Sequence, residues 1–185
     1  MGSLSLRYGV LEQEIPVSGG GTYETDPYTG TMTAYNAPSP FVVHANNNWD
    51  SAGSDPGSGG RYAGWRAFNK INTYADSWIA YPDGGPFWLK IDMGTDVNIW
   101  KYGISPRDGA AGGTPKTWII QGSANESTWN DVDTITNYTT WNGMNWYYWE
   151  VDPPSAAYRY WRIYCTLTYS TYCAISEMDY WRFIP

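Results

Sequence analysis

Residues 87–94 read Phe-Trp-Leu-Lys-Ile-Asp-Met-Gly, a run in which every second side chain is strongly apolar. Side chains alternate between the two faces of a β-strand, so Phe87, Leu89, Ile91 and Met93 would share one face. The run is bounded by turn-forming residues, which is typical of a strand with one buried face. This stretch therefore predicts a strand over residues 86–93.

The same alternation between clusters of Gly, Pro, Asn and Asp recurs along the chain. It predicts eight strands, near residues 41–45, 86–93, 97–105, 116–122, 130–136, 146–152, 158–167 and 172–183. No long amphipathic helix is present, and only Gly64–Ile71 has the pattern of a helical turn. Eight short strands separated by loops predict an all-β sandwich.

Several motifs follow one another in a fixed order around residues 87–94. They are Ala67–Lys70 (AFNK), Trp78–Ile79 (WI), Phe87–Gly94 (FWLKIDMG), Pro115–Ser123 (PKTWIIQGS), Trp129, Tyr158–Ile163 (YRYWRI) and Ile175–Met178 (ISEM). This order resembles the discoidin domains, the coagulation factor 5/8 type C family, and their sugar-binding relatives, the family-32 carbohydrate-binding modules. The resemblance extends over nearly all of residues 41–183. It implies an eight-stranded jelly-roll β-sandwich (galactose-binding-domain-like) that recognises a ligand without catalysing a reaction.

The composition changes before Pro40, where Gly-rich and Thr/Tyr-rich segments replace the strand pattern. We interpret residues 1–38 as an extended N-terminal arm outside the sandwich, and residues 39–185 as the discoidin-like domain. An arm of this kind is a possible docking segment for a larger protein assembly. The alternative is a disordered linker.

The bulk composition restricts the partners. Aromatic residues make up 18% of the chain and charged residues 16%, so we expect some rings at the surface while most pack the sandwich. The net charge of −7 disfavours nucleic acid and anionic membranes, since both require a basic surface. No apolar run approaches the roughly 20 residues of a membrane span, so we expect no membrane insertion.

Catalytic patterns are weak. His44 is the only histidine, and no serine lies in the glycine pattern of a nucleophile elbow. Aspartates are frequent in the predicted loops, as a glycosidase would require, but such residues mostly form solvated turns. We therefore predict that the protein is not an enzyme. The two cysteines, Cys165 and Cys173, face each other in one predicted hairpin, either as free thiols or as a disulfide.

A possible structural Ca²⁺ is implied by the resemblance alone. Many relatives hold calcium between the loop that reads AFDG and the glutamate of the last strand, which correspond here to Asn69 and Glu177. The family places Asp at position 69, Gly at Lys70 and an oxygen-bearing side chain at Ile71, so the site is weakened. In the competing interpretation, Asn69 and Glu177 hydrogen-bond the loop to the last strand, or Lys70 replaces the charge of the ion.

A ligand site is implied at the loops of one end of the sandwich. Arg107, followed by Asp108 in Ser105–Gly109, matches the arginine that holds a sugar hydroxyl in sugar-binding relatives. Galactose-binding relatives continue with an Asn where this chain has Gly112-Gly113. They also carry a His at the position of Ile79, so galactose specificity is not implied.

Two further segments offer a sugar platform. His44, Asn47, Trp49 and Asp50 lie together at the start of a long loop, where amides and a ring suit sugar hydroxyls and C–H groups. The alternative is an Asn-rich turn that caps its own backbone. Trp141 precedes Asn142-Gly143, a tight-turn signal that predicts an exposed ring, which would serve either a ligand or a protein contact.

Three functions remain open at this point. We favour a noncatalytic carbohydrate-binding, lectin-like module that binds a glycan or polysaccharide, as an adhesion or surface-decoration head outside a cell or on a virion. The alternative is a structural subunit of a larger particle docked through residues 1–38. The segment Pro115–Ser123 followed by Trp129 is similar to discoidin-like domains of phage virion proteins. A phospholipid-binding discoidin module is disfavoured by the acidic charge.

Overall fold

The computed structural model describes residues 20–50, 60–82 and 84–185. Within these residues it contains nine β-strands and one 3₁₀ helix, Gly64–Phe68. The strands are β1 (Thr22–Tyr23), β2 (Val42–Ala45), β3 (Trp78–Ile79), β4 (Phe87–Pro106), β5 (Pro115–Ser123), β6 (Asn130–Ile135), β7 (Tyr147–Glu150), β8 (Tyr158–Thr168) and β9 (Ala174–Ile184).

Strand β4 belongs to both layers of the sandwich. Its first half, Phe87–Asp92, pairs with β2 and β8, and β8 continues to β5 and β6. Its second half, from Asn98, pairs with β7 and β9, and β9 also pairs with β1 and β3. The register of β4 on β8 shifts between Asp92 and Val97, next to Gly94 at a φ of 74°. All pairings are antiparallel, so the predicted all-β jelly-roll sandwich is confirmed.

The core lies between the two layers. Leu89 and Ile91 from the first half of β4 belong to the same buried cluster as Tyr102 and Ile104 from its second half. The alternation seen in residues 87–94 therefore points Phe87, Leu89, Ile91 and Met93 inward, as the sequence predicts. Burial of such side chains contributes about 1.5–3 kcal/mol each to folding.

The strand predictions are confirmed with two differences: two predicted strands are one, and two short strands are additional. Residues 86–93 and 97–105 form one continuous strand, because the chain bends through a bulge rather than leaving the sheet. The two-residue strands β1 and β3 are too short to produce an alternation pattern, and the sequence does not reveal them. The helical turn predicted at Gly64–Ile71 appears as the 3₁₀ helix.

The predicted arm, residues 1–38, is described from residue 20 onward, and residues 1–19 lie outside the described residues. Its β1 pairs with β9, and the N–H of Tyr28 donates to Tyr180 O at 2.8 Å. Met32 is fully buried in the core cluster, and its N–H donates to Phe68 O at 2.9 Å. Residues 20–38 are therefore part of the sandwich. They do not form an arm outside it. The docking role of residues 1–38 stays a prediction.

The two cysteines are free thiols, and both are fully buried in the core. Burial raises the pKa of the Cys173 thiol well above its ordinary value, and its hydrogen bond with Cys165 raises it further. Of the two arrangements left open by the sequence, the structure contains the apolar thiol pair.

Among the described residues, no helix has the length and apolar character needed to cross a membrane.

Candidate functional site

Six loops meet at one end of the sandwich, because antiparallel pairing brings the ends of β2 and β8 beside the start of β4, and the starts of β7 and β9 beside its end. Backbone hydrogen bonds join several of them: Trp49 N to Ile79 O, Ala80 N to Cys173 O, and Tyr169 N to Thr114 O. The loop before β7 joins them through Met144 O, which accepts from Asn72 Nδ2 at 2.9 Å. We call this surface the loop end; its described residues are 46–50, 69–77, 80–82, 84–86, 107–114, 142–145 and 169–173.

Exposed aromatic rings are concentrated at the loop end. Trp49 is 44% exposed, Tyr74 56% and Tyr81 40%. All 12 tryptophans lie within the described residues, and Trp49 is the one that is exposed. Its ring centre lies 6.0 Å from that of Tyr81 and 5.6 Å from that of Tyr172. These exposed rings are grouped on one surface, which makes the loop end a candidate recognition site.

Arg107 lies at the base of this surface, at the end of β4. Its side chain is largely buried, its Nε donates to Tyr74 O at 3.0 Å, and its Nη1 donates to Asp108 Oδ2 at 3.3 Å. The guanidinium carbon lies 3.4 Å from the centre of the Tyr74 ring. The guanidinium is therefore held by a carbonyl, a carboxylate and an aromatic ring.

Tyr172 joins the Trp49 side of the loop end to Asp108. A Cβ at Gly112 would lie 2.5 Å from Asp108 Oδ2 and 2.9 Å from the Tyr172 hydroxyl, and a Cβ at Gly113 would lie 2.4 Å from the Tyr172 ring. Only glycine permits this approach, and Gly112 also has a φ of 52°. Burial raises the pKa of Tyr172, and the nearby Asp108 carboxylate raises it further.

Asn47 and Asp50 have local structural roles. Asn47 is buried, its Oδ1 accepts from Tyr81 N at 2.8 Å, and its backbone carbonyl accepts from Trp78 Nε1 at 3.2 Å. Asp50 is exposed, and its Oδ2 accepts from Arg61 N at 2.7 Å. Asn47 therefore fixes the loop that carries Trp49 by binding the neighbouring segment at Trp78 and Tyr81, rather than by capping its own turn.

His44 and Trp141 lie elsewhere. His44 is within β2, opposite Lys90, with its ring 6.3 Å from that of Tyr35. Trp141 is 5% exposed, its Nε1 donates to Pro115 O at 2.7 Å, and its ring contacts Trp118. The prediction that the Asn142-Gly143 turn would expose Trp141 is wrong, because the side chain points into an aromatic part of the core.

The structure thus brings together Arg107, Asp108 and Trp49 of the predicted site residues, and adds three tyrosines that the sequence analysis did not select, Tyr74, Tyr81 and Tyr172. Each of these tyrosines lies outside the strands, in a segment containing Gly, Asn, Asp or Ser. A ring in such a segment has no neighbouring apolar pattern to bury it, but the same signal also selects the buried Trp141, so it does not identify the site rings by itself.

The expected cation position lies beside the loop end, between the 3₁₀ helix and β9. Asn69 Oδ1 and Glu177 Oε1 both accept from Ile71 N, each at 2.8 Å. The Lys70 ammonium group contacts Asp179 Oδ1, which also accepts from Thr29 Oγ1 at 2.5 Å. The pKa of Glu177 is raised to about 8, chiefly by burial and also by the nearby Asp179 carboxylate, while Lys70 opposes the shift.

These residues do not fit a calcium ion as they stand. Calcium requires six to eight oxygen ligands at about 2.3–2.6 Å. Here the Asn69 and Glu177 oxygens already accept a backbone N–H, and an ammonium group occupies the Asp179 oxygen. Across residues 20–50, 60–82 and 84–185, no three His, Cys, Asp or Glu side chains gather as a metal site. Glu177 Oε2 is buried without a hydrogen-bond partner among these residues.

Known structures share this fold. A family 32 carbohydrate-binding module from Clostridium perfringens, solved in complex with galactose, has a TM-score of 0.60 at 15% identity, covering 76% of this chain and 93% of its own. An F5/8 type C domain from Bacteroides fragilis has a TM-score of 0.62 at 17% identity, covering 77% and 91%. Chitosan-binding module 1 of a chitosanase/glucanase from Paenibacillus sp. IK-5 has a TM-score of 0.59 at 16% identity, covering 84% and 98%.

A comparison with curated proteins gave no match. The F5/8 type C domain family matches residues 42–178, which include both layers of the sandwich and most of the loop end. The ordered motifs, the two-layer topology of β4 and this match agree with one another. The chain therefore belongs to the F5/8 type C, or discoidin, domain family.

Proposed function

We propose that this protein is a noncatalytic carbohydrate-binding module whose loop end binds a glycan. The observation that carries the proposal is the convergence of a held guanidinium, Arg107, with exposed rings at Tyr74 and Trp49. Sugars present hydroxyl groups for charge-assisted hydrogen bonds and C–H faces for contact with aromatic rings. The loop end offers both kinds of group on one surface.

The arrangement supports binding of a neutral ligand. Asp108 accepts from Arg107, so the pair carries no net charge and still provides both donors and acceptors. Trp49, Tyr81 and Tyr172 form a second side of the surface, in edge or tilted contact with one another. Rings held by neighbouring rings lose little conformational entropy when a ligand binds.

In our proposal the site does not reproduce the contacts that make relatives specific for galactose. Tyr172 fills the space that a side chain at position 112 or 113 would take, and Ile79 is buried in β3. Recognition near Tyr172 therefore rests on the Tyr172 hydroxyl and Asp108, rather than on the Asn and His side chains of galactose-binding relatives. A glucosamine- or glucose-type polysaccharide is a suitable first set of ligands, alongside galactosides.

A role as a hydrolase is not part of the proposal. The carboxylate nearest to Arg107 is Asp108, which is engaged by the guanidinium, and a glycosidase requires two carboxylates about 5–10 Å apart across a sugar. Some of the solved structures that share this fold are glycoside hydrolases of which this chain matches a small part. What we propose for this chain is recognition of the sugar only.

We further propose that the glycan is met outside a cell or on a virion surface, with the protein acting as an adhesion or decoration head. The exposed rings and the net charge of −7 suit a neutral glycan rather than nucleic acid. Docking on a larger assembly through residues 1–38 is a further part of this proposal. Co-purification of the full chain and of residues 20–185 with the assembly would test that part.

A glycan array screened with the full chain tests the proposed function. We expect binding to at least one oligosaccharide class, and loss of binding in Arg107→Ala. Because removal of Arg107 leaves Asp108 without its partner, Arg107→Lys is the matched variant: it keeps the charge but not the forked geometry, so binding should weaken without disappearing.

The control for folding is Arg159→Ala, which removes an arginine from the outer face of β8, away from the loop end. We expect it to retain binding. A folded protein, by circular dichroism, that binds no glycan on the array would contradict the proposal. Binding that persists unchanged in Arg107→Ala would place the site elsewhere.

A further inference from the structure

We propose that the Lys70 ammonium group takes the place of a divalent cation in this domain, so that the loop after the 3₁₀ helix is joined to β9 by an internal ion pair and the fold does not depend on calcium. The inference concerns the position beside the loop end and is independent of which sugar binds there. It rests on the ion pair of Lys70 with Asp179, on the hydrogen bonds that Ile71 N donates to Asn69 and Glu177, and on the backbone conformation of Lys70.

The first contact is the ion pair itself. The Asp179 side chain is almost completely buried on β9, where an unpaired carboxylate would be strongly destabilising. Lys70 supplies the compensating positive charge to Asp179 Oδ1. A bound Ca²⁺ at this place would have to displace the ammonium group or lie next to it, and either arrangement is unfavourable.

The second contact involves the other two oxygens at this position, Asn69 Oδ1 and Glu177 Oε1. The Ile71 N–H points between Asn69 Oδ1 and Glu177 Oε1 and donates to both at 2.8 Å. A cation would require these oxygens to turn away from the N–H toward a common centre. The loop is therefore closed by hydrogen bonds in the place where a metal would close it.

The backbone at Lys70 gives independent support. Its φ is 65°, in the left-handed region that favours glycine and is uncommon for a long side chain. A lysine at this position carries a conformational cost that its side chain must offset. The contact with Asp179, which Thr29 Oγ1 reinforces at 2.5 Å, is the interaction that offsets it.

The test is a double-mutant cycle with a calcium arm, measured by thermal unfolding of the full chain. Lys70→Met, Asp179→Asn and the double variant are compared in EDTA and in about 5 mM calcium chloride, a concentration that saturates weak extracellular sites. We expect the wild-type melting temperature to be the same in both solutions. Lys70→Met should lower it by about 5–15 °C, since Asp179 is left buried and unpaired.

The double variant should recover at least half of that loss, because the amide oxygen introduced by Asp179→Asn would still accept from the Thr29 hydroxyl and no charge would remain unpaired. If Lys70→Met does not fold, a folded double variant supports the proposal equally. The proposal would be overturned if the decreases in melting temperature of the two single variants simply added in the double variant. It would also be overturned if the double variant failed to fold. A rise in the wild-type melting temperature of several degrees with calcium would overturn it as well.

Lys90→Met is the matched control. Lys90 pairs with Glu126, whose side chain is 42% exposed and remains hydrated when the partner is removed. We expect only a small change in melting temperature for this variant. A fall as large as that of Lys70→Met would show that the loss does not depend on a buried partner, and would count against the proposal.

Discussion

The guanidinium carbon of Arg107 lies 3.4 Å from the centre of the Tyr74 ring, and Arg107 Nε donates to the carbonyl oxygen of the same tyrosine. Two adjacent loops are joined by this pair, one after β4 and one before β3. The ring covers the guanidinium, and the backbone fixes its orientation. Tyr74 thus supports Arg107, and in the proposed function its exposed ring also contacts the ligand.

Replacing Tyr74 separates these two roles. Tyr74→Leu keeps the carbonyl that accepts from Arg107 but removes the ring, so we expect sugar affinity to fall about 5- to 30-fold, equivalent to one cation–π or stacking contact. Tyr74→Phe keeps the ring and should bind nearly as well as the wild type. Isothermal titration with the best array ligand measures both. Equal sugar affinity of the Tyr74→Leu and Tyr74→Phe variants would show that the Tyr74 ring does not contact the ligand.

Trp141 and Trp49 should respond in opposite ways to substitution. Trp141→Ala removes a buried ring and its hydrogen bond to Pro115 O, and we expect the free energy of unfolding to fall by about 3–5 kcal/mol. Trp49→Ala should change stability by less than about 1 kcal/mol and weaken glycan binding. Urea denaturation and titration of both variants provide the measurement. Unchanged binding by Trp49→Ala would exclude that ring from the ligand surface.

The N-terminal boundary of the folding unit can be tested by truncation. A chain that starts at residue 20 should retain the wild-type melting temperature within a few degrees. A chain that starts at residue 39 loses β1, the Thr29 contact with Asp179 and the buried Met32, so it should be much less stable or unfolded. Met32→Ala alone should lower the free energy of unfolding by about 2–5 kcal/mol. Equal stability of the two truncated chains would contradict the structure.

Asp92 provides a pH-dependent contribution to stability. Burial alone would raise the pKa of this carboxyl, but the hydrogen bonds from Arg159 and from Gly94 N, with the nearby positive charges, lower it below its ordinary value of 3.8. A lowered folded-state pKa stabilises the fold above 3.8, and this contribution disappears as the pH falls through the folded value. Asp92→Asn should therefore be less stable than the wild type at neutral pH.

The difference between wild type and Asp92→Asn should narrow as the pH falls from about 5 to about 2, measured by urea denaturation. Asp96→Asn, at an exposed aspartate on the same bend, is the control and should follow the wild type at each pH. A difference that stays constant over this range would show that the ionised form of Asp92 has no special role.

The sequence predicts the fold well because the fold depends on local patterns. The alternation in residues 87–94 identifies both a strand and its buried face, and the ordered motifs identify the family. Met32 could not be assigned in this way, because it enters the core from a segment without any periodicity. Its N–H donates to the carbonyl of Phe68, which is distant in sequence.

The candidate site is less predictable for a related reason. Arg107 is identified by its motif, but the rings around it come from loops that only the folded sandwich brings together. Trp49 and Trp141 illustrate this, since both lie beside turn signals and the sequence treats them alike. Pro115 O and Trp118 bury one of them, whereas Ile79 holds the loop of the other at the surface.

The pairing of β1 with β9 determines where a tether would join the domain relative to the loop end. Thr22 is the partner of Ile184, so these two residues lie side by side, roughly 30 Å along β9 from its start at the loop end. A tether attached at either side would hold the rings of Trp49 and Tyr74 outward, facing whatever the carrier approaches. Many copies on one carrier would then present parallel weak contacts, and their combined avidity would exceed the affinity of any single domain.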